Sequence, residues 1–204
     1  MGGTHAIDGP SEQPAARRQE NDMATIGIVG DGPGGLSAAL FLAKGGHEVT
    51  VWGTDDTVMN YAHLYNYLGI ESIGGTEFQQ RARAHAAAHG ASLVDQAVES
   101  VAASEGSFSV GTADGTSTVD YLVLSEGKGA PLAESLGLAT DGEEIVVDRD
   151  GRSSVEKVYV VGRSVRPSRS QAIISAGDGA AAALDILADI AGNDVQDWDS
   201  PPKD

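Results

Sequence analysis

The residues with the clearest chemical use stand six in a row: Gly30-Asp31-Gly32-Pro33-Gly34-Gly35, a G-x-G-x-x-G. Such a turn can cradle a dinucleotide diphosphate when a strand leads in and a helix leads out. The first glycine permits the tight turn, the second lets the phosphates approach the backbone, and the third lets helix pack on strand. The helix N-terminus then offers unpaired N–H groups and a partial positive charge to the anion. Both flanks are present here. Residues 24–30 (ATIGIVG) form a short apolar, β-branched run that reads as a buried strand; residues 36–44 (LSAALFLAK) are helix-forming and stop at Gly45-Gly46. The acid that normally holds the ribose hydroxyls lies about 20 residues further on, at the end of the second strand. In this chain that position is Gly53, followed by Thr54, Asp55 and Asp56. The ribose contact therefore falls either to Asp55 or to the backbone, and the acids disfavour a 2′-phosphate.

The elements that must position this turn follow in α/β order. Residues 47–52 (HEVTVW) read as a second strand and 77–89 as an amphipathic helix closed by Gly90. Three strand-like pieces occupy 92–103, 107–111 and 117–125, with Asp114-Gly115 as a tight-hairpin signal between the last two. Residues 144–147 and 157–161 are further strands, and an alanine-rich helix runs over 171–190. Strand, turn, helix and strand in this order build a parallel sheet through a right-handed crossover. The fold class is thus α/β, Rossmann-like, with helices on a parallel sheet and a three-stranded antiparallel meander, in one domain over 23–191. Residues 1–22 are polar and aperiodic and read as a disordered leader; 192–204 read as a loose tail with Trp198 as its anchor.

Composition narrows the chemistry. The 204 residues contain no cysteine, which excludes a disulfide scaffold, a thiolate zinc site, a thiol nucleophile and a dithiol redox centre. The formal charge of −17 repels phosphate backbones and anionic lipid, so neither nucleic acid nor a membrane surface is expected as partner. No apolar run has the length of a membrane span and no secretory signal opens the chain, so a cytoplasmic location is expected. Arginine outnumbers lysine nine to four and the acids are scattered, a surface suited to a cytoplasm of high salt. His85 and His89 share a helix face but lack a third ligand nearby in sequence, so no metal is expected.

Farther along, the segment KVYVVGR (157–163) and then Gln171-Ala172-Ile173-Ile174-Ser175-Ala176-Gly177 give a strand, a loop and a helix. With the turn at 30–35, Gly53, the run Tyr65-Asn66-Tyr67-Leu68-Gly69-Ile70 and YLVLSEG at 121–127, this ordered set resembles the FAD domain of thioredoxin-reductase-like pyridine nucleotide–disulfide oxidoreductases, over most of 24–190. The resemblance implies FAD as cofactor. It places the ADP part at Gly30, Gly32, Pro33, Gly34 and Gly35, with Gly53, Thr54, Asp55 and Ala97 alongside. It places the flavin near Asn66, Gly127, Gly162, Arg163, Gln171, Ala172 and Ile173.

The departures shape the expected function. The family strand ending Gly-Asp here ends Gly162-Arg163, and a guanidinium pairs with phosphate or an acidic substrate instead of accepting a hydroxyl proton. The Ala-Thr-Gly step is Ser125-Glu126-Gly127, so Glu126 either stands near the site or pairs with Arg163. Tyr61, Tyr65, Tyr67 and His63 either stack on the ring or a substrate, or fill space. Where the family carries an NADPH domain with a Cys-x-x-Cys, only the 16 residues 128–143 bridge the flanking segments. The expectation is a small flavoprotein that receives electrons from a redox partner protein or a small-molecule reductant. The alternatives are a non-catalytic FAD or adenine-nucleotide binder or interaction module descended from such a reductase, and a subunit of a split reductase. Apolar surface left by the missing domain leads to an expected homodimer.

Overall fold

Alternation along the strands decides the layering. The computed structural model describes residues 23–200; the expected leader, 1–22, and the last four residues of the expected tail lie outside them. In chain order the elements are β1 (Thr25–Val29), α1 (Pro33–Lys44), β2 (Glu48–Trp52), β3 (His63–Leu64), β4 (Ile73–Gly74), α2 (Gly75–Ala88), β5 (Ser92–Val94) and β6 (Val98–Ser104). There follow β7 (Ser107–Thr112), β8 (Gly115–Val119), β9 (Tyr121–Leu124), α3 (Pro131–Ser135), β10 (Thr140–Asp141), β11 (Glu144–Ile145), β12 (Val158–Val160) and α4 (Ala172–Ala191). Five strands pair in parallel in the order β12-β9-β1-β2-β5. One face presents Ile26, Ile28, Val49, Val51, Tyr121 and Val123 to the helices α1 and α4. The other presents Val29, Trp52, Leu122, Leu124 and Val158 to Phe108 and Val110 of the antiparallel β6-β7-β8 layer. Gly27 allows that second layer to close, because a Cβ there would lie 3.0 Å from Val119 and 3.1 Å from Trp52.

Two expected strands each split. The 92–103 piece breaks after Val94: Ser92–Val94 pairs with β2 in the main sheet, and β6 then joins the meander. The 117–125 piece breaks at Asp120, whose carboxylate accepts the Thr25 N–H and hydroxyl, both at 2.8 Å, and so turns the chain from one layer into the other. The 144–147 strand shortens to β11, which pairs only with β10 outside the main sheet. Helix α1 starts at Pro33, before the 36–44 pattern indicated, because proline at a first helical position gives up an N–H that would have no partner. Trp198 is not an anchor: it is 83% exposed, and Lys44 holds the tail through Asp197 at 2.8 Å and Asp199 at 2.6 Å.

The helices α1 and α4 meet backbone to backbone. A Cβ at Gly179 would stand 2.0 Å from the Gly34 carbonyl oxygen, and one at Gly35 would stand 2.0 Å from that of Gly30. Gly179→Ala should therefore lower stability by roughly 1–3 kcal/mol or more through overpacking, measurable as an earlier urea midpoint at unchanged slope.

Candidate functional site

A parallel sheet with crossovers leaves a crevice outside the carboxyl ends of its strands, where neighbouring connections diverge. Here β1, β2, β9 and β12 all end at one such crevice. It has two arms. The larger connections line a cleft of about 480 Å³ that includes Gly30, Gly32, Gly34, Asn66, Gly127 and Arg163. The second arm, about 580 Å³, runs past Trp52, Gly53, Thr54, Ala97 and Val98. Both arms are walled by Gly30, Asp31, Asp56, Glu126 and Lys128, so the two meet at the glycine turn.

Two helix N-termini open into the first arm, and neither N-cap residue caps its helix with its own side chain. At α1 the N-cap is Gly32; Ser125 Oγ accepts from Gly35 N at 3.2 Å, while Pro33 has no N–H to satisfy. At α4 the N-cap is Gln171, and the first intrahelical bond comes from Ser175 N at 2.9 Å, leaving the amides of Ala172, Ile173 and Ile174 ahead of it. Uncapped N-termini carry unsatisfied N–H groups and partial positive charge, so two of them in one cleft make an anion site. The side chains agree in sign. Arg163 lines the cleft and its Nε is buried without a hydrogen-bond partner among the described residues.

The glycines of the turn divide by what requires them. Gly30 has φ +97°, and a Cβ on it would lie 2.2 Å from the Ser125 carbonyl oxygen. Gly35 is demanded by the helix–strand approach described above. Gly32 is demanded by nothing in the protein itself, since the nearest atom to its Cβ position is Thr57 Oγ1 at 3.9 Å. A cradle a Cβ would fill, facing two helix N-termini and a buried unpartnered guanidinium nitrogen, fits a diphosphate. These observations are the fit between the residues present and a dinucleotide such as FAD.

Of the residues singled out from sequence, Gly30, Gly32, Pro33, Gly34, Asn66, Gly127, Gly162, Arg163, Gln171 and Ala172 line the first arm, and Gly53, Thr54 and Ala97 the second. Asn66 Nδ2 donates to Gln171 Oε1 at 2.9 Å, joining the β3–β4 segment to the start of α4. Three do not line either arm. Gly35 is buried beneath the turn, Ile173 faces outward, and Asp55 has a buried Oδ1 with no partner. Glu126 does not pair with Arg163. Its carboxylate accepts the N–H groups of Leu132 at 2.8 Å and Ala133 at 3.0 Å, capping α3 instead. The tyrosines separate: Tyr67 packs on Phe78 at 5.1 Å between ring centres, while Tyr61 and Tyr65 are exposed and line neither arm. His63 does line the first arm, bonded to Ser72 Oγ at 2.9 Å. The His85 and His89 rings lie 5.0 Å apart with no third ligand among the described residues. Ser125, Thr57 and Lys128 were not singled out; each is a loop residue whose place depends on long-range pairing.

Comparison with known proteins agrees with this geometry. Residues 70–179 match the family described as pyridine nucleotide-disulphide oxidoreductase. Among solved structures, a thioredoxin reductase from Gloeobacter violaceus superposes with a TM-score of 0.80 at 16% identity, over 88% of this chain and 100% of that one. The atypical thioredoxin reductase TRi from Desulfovibrio vulgaris Hildenborough gives 0.76 at 18%, over 83% and 99%. A ferredoxin-flavin thioredoxin reductase from Clostridium acetobutylicum gives 0.74 at 17%, over 83% and 98%. At such identities the likeness is one of fold. No curated protein matches the sequence.

Burial pushes the Glu126 carboxyl above its ordinary 4.5, against the two amide donors that favour its charge. A raised acid holds its proton more tightly when folded, so its contribution is fully present below the unfolded value and is lost as pH rises through the folded one. Urea unfolding between about pH 4 and about pH 8 should show a shallower decline of stability in Glu126→Gln than in the parent over that window.

Proposed function

The chain belongs to the pyridine nucleotide-disulphide oxidoreductase family, and from that premise we propose that it is a small FAD-binding flavoprotein receiving its electrons from outside the chain. One observation carries the reading: the uncapped N-termini of α1 and α4 converge on a single cleft that also holds the unpartnered Arg163 nitrogen. In this reading the amides around Gly32 and Gly34 hold the diphosphate, with Arg163 as its counter-charge. Gly53, Thr54 and Ala97 wall the adenosine end. Asn66, Gln171 and Ala172 sit at the flavin end, and the α4 N-terminus favours negative charge there.

When bound, FAD supplies two-electron and one-electron chemistry that no side chain of this protein offers. The protein contributes orientation and charge. The stretch between β9 and β11 is occupied by α3 and β10 and leaves no room for a nicotinamide domain. A redox partner protein or a small-molecule reductant is therefore the proposed donor. The Clostridium neighbour, whose name joins ferredoxin to flavin, offers a precedent for a partner protein within this fold. Val58, Tyr61, Tyr65 and Leu68 are exposed beside the flavin end and form the surface on which such a partner, or a second copy in a homodimer, would dock.

A second reading is favoured by Arg163 standing where the family has an acid and by the absence of any cysteine. It makes the chain a non-catalytic binder of FAD or an adenine nucleotide. Purification tests flavin binding, and turnover of the bound flavin with a reductant and an acceptor separates the two readings. The flavoprotein reading expects flavin absorbance, or FAD uptake by the colourless protein, and is overturned if the protein shows neither. Anaerobic mixing of the FAD form with NADH or NADPH should give slow or no bleaching, and rapid bleaching by either would replace the partner protein by a directly bound nicotinamide as donor.

The glycine turn offers a sharper check. Gly32→Val should lower stability by only about 1 kcal/mol, the loss of a favourable N-cap residue, since the nearest atom to its Cβ position is Thr57 Oγ1 at 3.9 Å. FAD affinity should fall about tenfold or more, read by fluorescence titration.

A further inference from the structure

The ribose of a bound dinucleotide needs a carboxylate at the end of the second strand, and this chain has Gly53 there. The structure shows what fills that space. A Cβ built on Gly53 would stand 2.3 Å from Asp31 Cγ and 2.5 Å from Asp31 Oδ1. The Asp31 carboxyl group, from inside the glycine turn, thus occupies the volume in which a side chain at position 53 would begin. Any side chain at 53 excludes Asp31 from its place, and Asp31 in its place requires glycine at 53.

A carboxylate held at 5% exposure needs a counter-charge. Arg83 of α2 supplies it, bonding Asp31 Oδ2 with one terminal nitrogen and Asp95 with the other. Asp55 N donates to the same Oδ2 at 3.2 Å, and Gln79 Nε2 donates to the Asp31 carbonyl at 2.5 Å. The group is therefore fixed from three sides. All of the carboxylate's hydrogen bonds fall on Oδ2; Oδ1 receives none among the described residues. Asp31 also lines both arms of the crevice, at their junction. Asp55, the acid nearest to position 53 in sequence, turns its Oδ1 into the protein and lines neither arm.

We infer that Asp31 is the ribose acceptor of this site, with Oδ1 taking the hydroxyl protons of an adenosine nucleotide and Asp31 and Gly53 exchanged as a pair relative to the ordinary arrangement. This rests on the nucleotide-binding reading above. It makes the site selective for a free 2′-hydroxyl. A hydrogen bond to a charged acceptor is worth about 1.5–3 kcal/mol, which corresponds to roughly tenfold to a hundredfold in affinity.

The test is calorimetric titration of the full chain with ADP and with 2′-deoxy-ADP. The parent should bind ADP about tenfold or more tighter. Asp31→Ser should bring the two ligands within about twofold of each other. Because Asp31→Ser leaves Arg83 with less charge to face and can harm folding, the double variant Asp31→Ser/Gly53→Glu is made beside it. There the acid returns to the end of β2, and the preference for ADP should return with it. Gly53→Glu alone should lose binding, because its side chain meets Asp31. If the parent binds both nucleotides equally, or if the preference survives in Asp31→Ser, or if a folded double variant shows none, the Asp31 assignment is overturned while the nucleotide reading stands. If the parent binds neither ADP nor FAD, both fall.

Discussion

Everything at this site depends on how closely α1 and α4 approach. Gly179 has no room for even a methyl group against the Gly34 carbonyl, so the first turn of α1 touches the backbone of α4 about two turns from its start. That contact sends both N-termini into one crevice instead of two. Each brings unsatisfied amides and a partial positive charge, and neither N-cap residue caps its own helix. In a protein of formal charge −17, such a concentration of positive potential is local and dictated by backbone, not by composition. The sheet follows from the same constraint. The strands β1 and β9 must lie side by side for the turns that follow them to meet, and Ser125 ties the two together by bonding both Val29 O and Gly35 N.

The acidic groups around the crevice are then arranged so as not to cancel that potential. Glu126 is turned away onto the α3 amides, and Asp31 is neutralised by Arg83. Arg163, which lines the cleft, keeps a buried Nε without a partner among the described residues. Buried polar atoms without partners are rare in native folds. Against the general dinucleotide fingerprint, the acid missing at Gly53 has a counterpart in Asp31; against the reductase pattern, an acid is lost at 163 and a cation gained.

Much of this was legible in the sequence because it is local. The glycine turn, its flanking strand and helix, the hairpin at Asp114-Gly115 and the alanine-rich α4 each follow from short-range pattern, and the structure has them all. What was illegible depends on pairing between distant segments. The break after Val94 exists because β2 needs a neighbour on its outer edge, and the break at Asp120 because that carboxylate bonds Thr25, 95 positions away. Glu126 could be expected to meet Arg163 only while α3 was unknown. For the ribose contact the sequence points to Asp55 or the backbone and gives Asp31 no role; only the fold shows how near Asp31 lies to position 53.

The convergence of two helix N-termini on one ligand is open to direct measurement by amide hydrogen exchange with and without FAD. The account predicts that FAD slows exchange at Gly32 and Gly34 and, in the same titration, at Ala172 and Ile173, with the β6–β8 layer unchanged. Protection at only one of the two helix starts, or none at either while FAD is bound, would contradict it.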